Sequence, residues 1–477
     1  MPNQNNNIQC QIGMIGLGTM GRNLLLNMVD HGFTVAGYDK DTTKVEQLSL
    51  AASKDKVCAS TDMKDFVNSL QTPRAIILLV PAGRPVDLVI HELLNYIEPG
   101  DLIIDAGNSH FTDTDIRTQD LQEKNINFLG VGISGGEEGA RRGPSIMPGG
   151  SKASYEKVRL IFEAIAAKVK GDPCVTYLGN GSAGHYVKMV HNGIEYGIMQ
   201  LIAETYDLMK RGLGLNNTQL RDVYSAWNDS ELNSYLIEIT SKIFAKNDED
   251  THRPLIDEIL GVAKQNGTGM WTSESAMELQ LPVPAIDVAV SMRDMSVLVQ
   301  EREQANALYH RPIKMLEVEP QAFIEQLKCA LFSAMMIVYA QGMSLLSVAS
   351  VKYNYELDLE AVARIWRGGC IIRSALLEDI RAAYRANKKL ANMLLDPGLS
   401  QQLLKHQKHL RLVVSQACVS GVPVPTLMSA LSYLDAYRSD WTPANLIQAQ
   451  RDYFGSHTYQ RSDKKGVFHT EWEKDNT

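Results

Sequence analysis

Three glycines set between a strand and a helix limit the fold of this 477-residue chain more than any other stretch. The apolar run Ile12-Gly-Met-Ile15 leads into Gly16-Leu-Gly18-Thr19-Met20-Gly21, and Asn23-Leu-Leu-Leu-Asn-Met-Val29 follows with helical spacing. A second apolar run, Phe33-Thr-Val-Ala-Gly-Tyr38, ends at Asp39. In such a strand–turn–helix–strand unit the glycines give a tight turn and let a ligand approach the backbone, while the helix start faces negative charge. An acid about twenty residues beyond the glycines is placed to meet a ribose hydroxyl. The arrangement predicts a Rossmann-like unit that holds a dinucleotide.

Two more strand-like runs, Ala75-Ile-Ile-Leu-Leu-Val80 and Leu102-Ile-Ile-Asp105, end in the loops Pro81-Ala-Gly83 and Ala106-Gly107-Asn108-Ser109. In a parallel sheet these loops share the C-terminal edge, where ligands bind. The next stretch, Gly132 to Gly150, is rich in glycine yet flanked by strand-like runs, and holds Ser134-Gly135-Gly136 near its start. Exposed backbone amides beside a serine hydroxyl suit a carboxylate or phosphate oxygen.

After Gly181 long helical segments take over. Read as a helix, Lys188-Met-Val-His191-Asn192-Gly-Ile-Glu195 places its four polar side chains in a wedge about 100° wide. Val187, Val190, Ile194, Ile198 and Leu201 form a separate apolar stripe. A solvated face would be rich in lysine and glutamate. Here a lysine able to act as a base, an imidazole, an amide and a carboxylic acid converge, the layout of proton-transfer chemistry. Further on, Leu220–Trp227 followed by Leu236 resembles Leu359–Trp366 followed by Leu376, each behind a long apolar helix. That predicts an all-α domain of two similar halves, repeating after roughly 140 residues. Between the halves, Gln265-Asn266-Gly267-Thr268-Gly269 is a glycine-rich loop before a helix and a candidate anion site. Arg293 follows it. The stretch Arg451-Asp-Tyr-Phe-Gly-Ser-His457-Thr-Tyr459 shows little helical period, but its arginine, histidine and aromatic density predicts docking rather than disorder.

Composition closes off other classes. The length suggests two or three domains, and 44% hydrophobic with 21% charged residues is globular. A net charge of −8 with interspersed signs argues against nucleic acid or an anionic membrane as partner. The six cysteines lack metal-type spacing, so no metal is expected, and they read as reduced, mostly buried thiols of a cytoplasmic protein. Met1–Asn7 is a polar tail without a signal pattern, and no run approaches the length of a membrane span.

In this order, these stretches resemble the 6-phosphogluconate dehydrogenase (decarboxylating) family over almost the whole chain. The most specific are Ser134–Gly150, Lys188–Gly197 and Arg451–Tyr459. The resemblance implies an α/β Rossmann-like N-terminal domain (1–180) and a large all-α substrate and dimerisation domain with an internal duplication (181–440). A C-terminal tail (441–477) would reach the partner subunit of a homodimer. The implied reaction turns 6-phosphogluconate into ribulose 5-phosphate and CO2 while reducing NAD(P)+. Lys188 would be the base and then the acid, with Glu195 the proton donor to the enol. The resemblance assigns the substrate to Asn108, Ser134, Gly135, Gly136, His191, Asn192, Tyr196, Thr268 and Arg293, with Arg451 and His457 from the other subunit. It assigns the cofactor to Gly16, Gly18, Thr19, Met20, Gly21, Asp39, Lys40, Val80 and Asn108.

Two positions depart from the family pattern. Where many members carry Asn-Arg-Thr after the second strand, this chain has Asp39-Lys40-Asp41. An aspartate there accepts hydrogen bonds from a free ribose diol and repels a 2′-phosphate, which favours NAD+. Asn266 stands where the family has a phosphate-binding lysine, and Lys264 is placed to compensate. Pro81 and Met270 also replace common lysines, leaving the cofactor edge less basic. The alternatives are another β-hydroxyacid dehydrogenase, which would need neither the duplicated domain nor Glu195, and a non-catalytic sugar-phosphate-binding paralogue.

Overall fold

The computed structural model describes residues 9–52, 55–310 and 312–473; the polar stretch Met1–Asn7 lies outside them. The chain forms two compact units, one ending at Ala430 and the other beginning at Leu431. The second unit therefore starts before the tail boundary read from sequence at residue 441.

The first unit begins with alternating strands and helices. These are β1 (Ile12–Ile15), α1 (Thr19–Asp30), β2 (Val35–Tyr38), α2 (Thr42–Ala51), β3 (Val57–Ser60), α3 (Met63–Asn68) and β4 (Ala75–Leu78). Then come α4 (Arg84–Leu93), β5 (Leu102–Asp105), α5 (Phe111–Gln122), β6 (Asn127–Ser134), α6 (Gly136–Arg142), β7 (Ser145–Gly150) and α7 (Lys152–Ile165). The sheet order is β3-β2-β1-β4-β5-β6-β7. The first six strands pair in parallel, while β7 returns antiparallel on β6, with Ser134 opposite Ser145. Right-handed crossovers put helices on both faces of such a sheet. Two apolar clusters result, one around Leu24, Ile104 and Phe162 and one around Phe66, Ile76 and Leu93. Strands β1, β2, β4 and β5 are buried at every position, as a doubly covered sheet requires.

The glycine-rich run differs from its sequence reading. It is strand, short helix and strand; β7 is wholly buried, and the exposed residues are Gly136–Glu138 and Arg142 on the short helix. Two of its glycines, Gly132 and Gly149, admit a helix against the sheet instead of presenting amides.

That helix is α8 (Ala183–Asp207), continued by a π-turn at Leu208–Gly212. It heads a helical region with α9 (Asn217–Asn228), α10 (Tyr235–Ala245), α11 (Thr268–Glu278), α12 (Pro284–Val297), α13 (Val299–Tyr309) and α14 (Pro320–Lys352). It continues through α15 (Leu359–Ile365), α16 (Leu376–Ala386), α17 (Pro397–Ser420) and α18 (Pro425–Tyr437). Local chemistry starts several of these. Asn216 and Gln219 form a capping box at α9, Ser234 caps α10, and Glu319 followed by Pro320 opens α14. The two halves have matching order, α8-α9-α10 and α14-α15-α16. They meet where Ser234 and Ser374, at the starts of α10 and α16, form an antiparallel bridge.

Two further expectations are corrected. Helix α14, with 33 residues, is long and apolar enough to cross a membrane, but most of it is buried inside the protein. It is a core helix packed against α8 and α17, and a helix apolar on all sides is buried in this way. Of the cysteines, only Cys10, Cys174 and Cys370 are fully buried; Cys58 and Cys329 are partly so and Cys418 is exposed.

In the second unit, Arg451 lies on a helix, α19 (Ala444–Gly455), where sequence showed little helical period. Its apolar side chains Leu446, Ile447, Tyr453 and Phe454 are exposed, so no buried stripe marks the helix. The inaccessible Asp452 carboxylate organises the unit. It accepts hydrogen bonds from Thr458 N (2.9 Å), Thr470 N (3.0 Å), Trp472 Nε1 (2.9 Å) and His469 Nδ1 (2.9 Å). Burial opposes its ionisation, but these donors outweigh that and hold its pKa down to about 2.

Helix α8 crosses β6 and β7 at Gly184, whose missing side chain faces the carbonyls of Gly130 and Met147 and the Gly149 amide. A methyl group there would sit 2.6 Å from Gly149 N and closer still to the two carbonyl oxygens, against backbone that cannot rotate away. Gly184→Ala is therefore expected to cost about 1–3 kcal/mol or more, read as a lower urea midpoint and a raised KM for substrate.

Candidate active site

The polar residues of α8 are not a solvated face. Lys188, His191 and Asn192 are 6%, 0% and 8% exposed, and Glu195 is half-buried. Nearly every residue of α8 up to Ile198 is buried, so the amphipathic stripe expected from sequence is a helix enclosed almost all round. It is fixed first by His185. That ring pairs with the Asp105 carbonyl through Nε2 (3.1 Å) and with Thr114 Oγ1 through Nδ1 (2.6 Å). The first turn of α8 is thereby tied to the loop bearing Asn108.

Beyond it runs a connected polar network. Lys188 Nζ donates to Asn192 Oδ1 at 2.8 Å, His191 Nδ1 lies 3.0 Å from the same oxygen, and Asn192 Nδ2 donates to Thr268 Oγ1 at 3.0 Å. An amide oxygen only accepts, so His191 carries its proton on Nδ1. Its Nε2 is then an acceptor, 3.2 Å from Ser134 Oγ, and takes the serine's proton in a hydrogen bond. The lone pairs of Ser134 remain available to a ligand.

Thr268 opens α11, behind Gly267 in the left-handed conformation. Thr272 Oγ1 bonds the carbonyls of Met189 and Thr268 at 2.9 Å each, drawing α11 onto α8. The approach needs Gly193, because a Cβ there would lie 2.6 Å from Thr272 Cγ2. The Arg293 guanidinium stacks on the Tyr196 ring at 3.4 Å, and Gly269 packs against the same ring.

Burial sets the protonation of the two candidate proton carriers. It lowers the Lys188 pKa, opposed by the Glu195 charge, and it raises that of Glu195, opposed by Lys188 and Arg293. His191 is driven well below its usual value, by burial first and by Lys188 second. A neutral amine and a protonated carboxyl are both favoured by such an environment.

Lys188, Glu195, Ser134, Gly135, Gly136, Asn192, Tyr196, Thr268 and Arg293 line one cavity of about 400 Å³. His191 lies behind it and acts on it through Ser134 and Asn192. A neighbouring crevice of about 600 Å³ is lined by Val80, Pro81, Gly83 and Trp271, and shares Met20, Asn108, Ile133 and Asn266 with the first. Arg451 and His457 belong to the second unit, where both are exposed. Ile133, Met199 and Ile371 also line the smaller cavity, and sequence reading passed over them. As apolar side chains they carry no mark that separates them from core.

The residues of the first turn fit a dinucleotide. Gly16 has φ +98°, and a Cβ on it or on Gly21 would strike backbone, of Leu79 and Gly16 respectively. Gly18 faces open space at the start of α1, whose first N–H groups have no side-chain cap, leaving room and donors for a pyrophosphate beside Thr19 and Met20. Asp39 ends β2. Its carboxylate accepts from Leu17 N (2.9 Å) and Asp41 N (3.0 Å) and pairs with Lys44 (3.3 Å). Partial burial works against its ionisation, but these contacts keep its pKa below the usual value. Lys40 pairs with Glu92 at 3.0 Å.

Comparison with known proteins agrees with this geometry. A family model described as the NAD binding domain of 6-phosphogluconate dehydrogenase matches residues 11–179, and one for the C-terminal domain of the same enzyme matches 184–472. The NADP(+)-dependent, decarboxylating 6-phosphogluconate dehydrogenase of Bacillus subtilis is 50% identical over 97% of this chain and 99% of its own length. The decarboxylating enzyme of Escherichia coli is 49% identical over the same shares. The solved Plasmodium falciparum 6-phosphogluconate dehydrogenase, studied with its cofactor NADP+ and its substrate 6-phosphogluconate, superposes with a TM-score of 0.94 at 43% identity. That match covers 97% of this chain and all of the other. Two family models account for nearly all of the sequence and relatives match it end to end, so the chain belongs to the 6-phosphogluconate dehydrogenase family.

Proposed function

We propose that this protein carries out the oxidative decarboxylation of 6-phosphogluconate to ribulose 5-phosphate and CO2, with reduction of NAD(P)+. The observation that carries this reading is the placement of Lys188 and Glu195. Both line one small cavity that opens beside the crevice next to the glycine turn.

The turn Gly16–Gly21, Val80 and Asn108 hold the dinucleotide, with Asp39 and Lys40 at its ribose end. When bound, its nicotinamide ring accepts the hydride from the substrate. Lys188 Nζ, kept short of charge by burial, takes the proton of the C3 hydroxyl. The 3-keto acid so formed releases CO2 because the ketone oxygen accepts the electron pair as an enol. Lys188, now protonated, stabilises charge at that oxygen. Glu195 lies seven residues on, about 10 Å along the helix axis, and holds a proton for C1 of the enol, which was C2 of the sugar acid. Ser134, Gly135, Gly136, His191 and Asn192 orient the sugar acid, while Tyr196, Thr268 and Arg293 take the phosphate end.

Arg451 and His457 are assigned to the neighbouring site of a cytoplasmic homodimer, carried there by the exchanged tail. Within each chain, residues 1–180 serve the dinucleotide and 181–440 the substrate.

On the cofactor, we propose that NAD+ is used at least as well as NADP+. Asp39, Asp41 and Glu92 outnumber Lys40 and Lys44 at the ribose end, and both lysines are already paired with acids. A 2′-phosphate gains little there.

A turnover assay on 6-phosphogluconate with NAD+ and NADP+ side by side, following CO2 with the reduced dinucleotide, tests reaction and preference together. Reduction without CO2 would indicate another β-hydroxyacid dehydrogenase, and a strong NADP+ preference in kcat/KM would defeat the cofactor reading. Lys188→Met is expected to lower kcat by about 10²–10⁴ with dinucleotide binding retained.

The pH profile of kcat/KM should be a bell. It falls in acid as Lys188 gains its proton and in alkali as Glu195 loses its own, and the two shifts bring those limbs toward each other. Glu195→Gln should remove the alkaline limb from whatever activity remains. Asn266→Lys should restore a charge-assisted contact worth about 1–3 kcal/mol and lower the KM for 6-phosphogluconate. An unchanged KM would show that Lys264, on the same cavity, already supplies it.

A further inference from the structure

None of the steps assigned to Lys188, Glu195 or the glycine turn engages His110, which lines the dinucleotide crevice with Asn108, Gly83 and Met20. His110 is also the N-cap of α5, and it caps with an imidazole where a hydroxyl, amide or carboxylate is usual. Thr112 N donates to His110 Nδ1 at 3.3 Å, and Thr112 Oγ1 lies 2.7 Å from the same nitrogen.

The cap fixes the tautomer. A backbone N–H only donates, so Nδ1 must offer its lone pair, and the neutral ring then carries its proton on Nε2. Burial keeps the ring neutral by lowering its pKa, against the opposing charges of Asp113 on α5 and of Glu274 and Glu278 on α11. The two nitrogens leave an imidazole on well-separated sides, so Nε2–H points away from the first turn of α5. Both hydrogen bonds of the ring among the described residues go to Thr112, which leaves Nε2–H without an acceptor there.

Two aromatic side chains hold the ring. Phe111 stacks on it with centroids 4.7 Å apart and planes at 29°, and the Trp271 indole meets it at 4.9 Å and 89°. Trp271 comes from α11 and lies against Gly267, where a Cβ would sit 3.3 Å from indole Cε2. Asn266 and Trp271 of the helical region therefore line the same crevice as the loops after β4 and β5.

The sheet order says which end of a dinucleotide comes here. His110 stands on the loop that leaves β5, three strands and about 14 Å across the sheet from β2 and Asp39. The crevice also shares Met20, Asn108, Ile133 and Asn266 with the substrate cavity. A dinucleotide with its adenosine ribose at Asp39 thus brings its other half to His110.

We propose that His110 is a binding residue for the nicotinamide half of the dinucleotide, donating Nε2–H to an oxygen of that half while Nδ1 caps α5. This rests on the dinucleotide reading of the crevice.

The test uses the full-length enzyme and titrates NADH and NADPH by the fluorescence of the reduced nicotinamide, which needs no turnover. Two variants separate the donor from the structural duties of the ring. His110→Asn keeps a capping oxygen for α5, and His110→Phe keeps an aromatic ring against Phe111 and Trp271; both lack the Nε2–H. In each, Kd for the reduced dinucleotide should rise roughly three- to tenfold, the scale of one lost hydrogen bond between neutral groups. Kd for ADP or adenosine 2′,5′-bisphosphate, which lack the nicotinamide half, should stay as in wild type. A wild-type Kd for the reduced dinucleotide in either variant overturns the proposal, since the ring would then serve only as cap or wall. An equal rise for the adenosine nucleotides overturns it too, by placing the contact outside the nicotinamide half. Should neither NADH nor NADPH bind wild type, the dinucleotide reading falls, and this proposal with it.

Discussion

The contact on which the site depends is the one where α8 lies on the sheet with backbone against backbone. At Gly184 the helix rests on the carbonyls of Gly130 and Met147, and at Gly132 the strand yields to the Lys188 side chain. One larger residue at either place would lift the helix off β6 and β7. Because side chains on a helix are fixed relative to its axis, that lift would move Lys188, Asn192 and Glu195 together. The polar side chains of α8 are thus registered to the neighbouring crevice by missing side chains. His185 then fixes the rotation of the helix by holding the Asp105 carbonyl.

Around this contact the protein buries a lysine, two histidines and an asparagine. Buried polar groups are costly when unsatisfied. Here Asn192 resolves the problem by accepting from Lys188 and His191 and donating to Thr268, so one amide sets the hydrogen-bond directions of three neighbours. The enclosure that makes this network necessary also moves the Lys188 and Glu195 pKa values. Farther along α8, Glu204 accepts from Thr426 N (2.8 Å) and Leu427 N (2.9 Å) at the start of α18. The helix that bears the site therefore also organises the far end of the helical region.

How much of this was legible in the sequence depended on the kind of signal. The Gly16–Gly21 turn was readable because strand, glycines, helix and Asp39 must occur together. The wedge of Lys188, His191, Asn192 and Glu195 was readable from helical period. That period did not show the opposite faces of α8 covered as well, since a helix packed on sheet, α11 and α14 looks amphipathic wherever one side is polar. The role of Gly130, Gly132 and Gly149 was not readable, because the demand they meet comes from His185, Lys188 and Gly184 of α8, far along in sequence. Ile371 and Met199 gave no signal at all, and α19 escaped because it covers no core.

In the tail unit one acid ties together several parts of the chain. Asp452 joins the end of α19 to residues 458, 469, 470 and 472, beside the bonds from Gln448 Nε2 to the Thr458 carbonyl and from Tyr453 Oη to Glu473. An aspartate titrating near pH 2 keeps that fastening through mild acid and loses it only where most other carboxylates are already neutral. Arg451 and His457 each directly precede a fastened residue, Asp452 and Thr458, so their spacing is established within their own chain. Such a segment is ordered by its own chain, and the cost of that ordering belongs to folding.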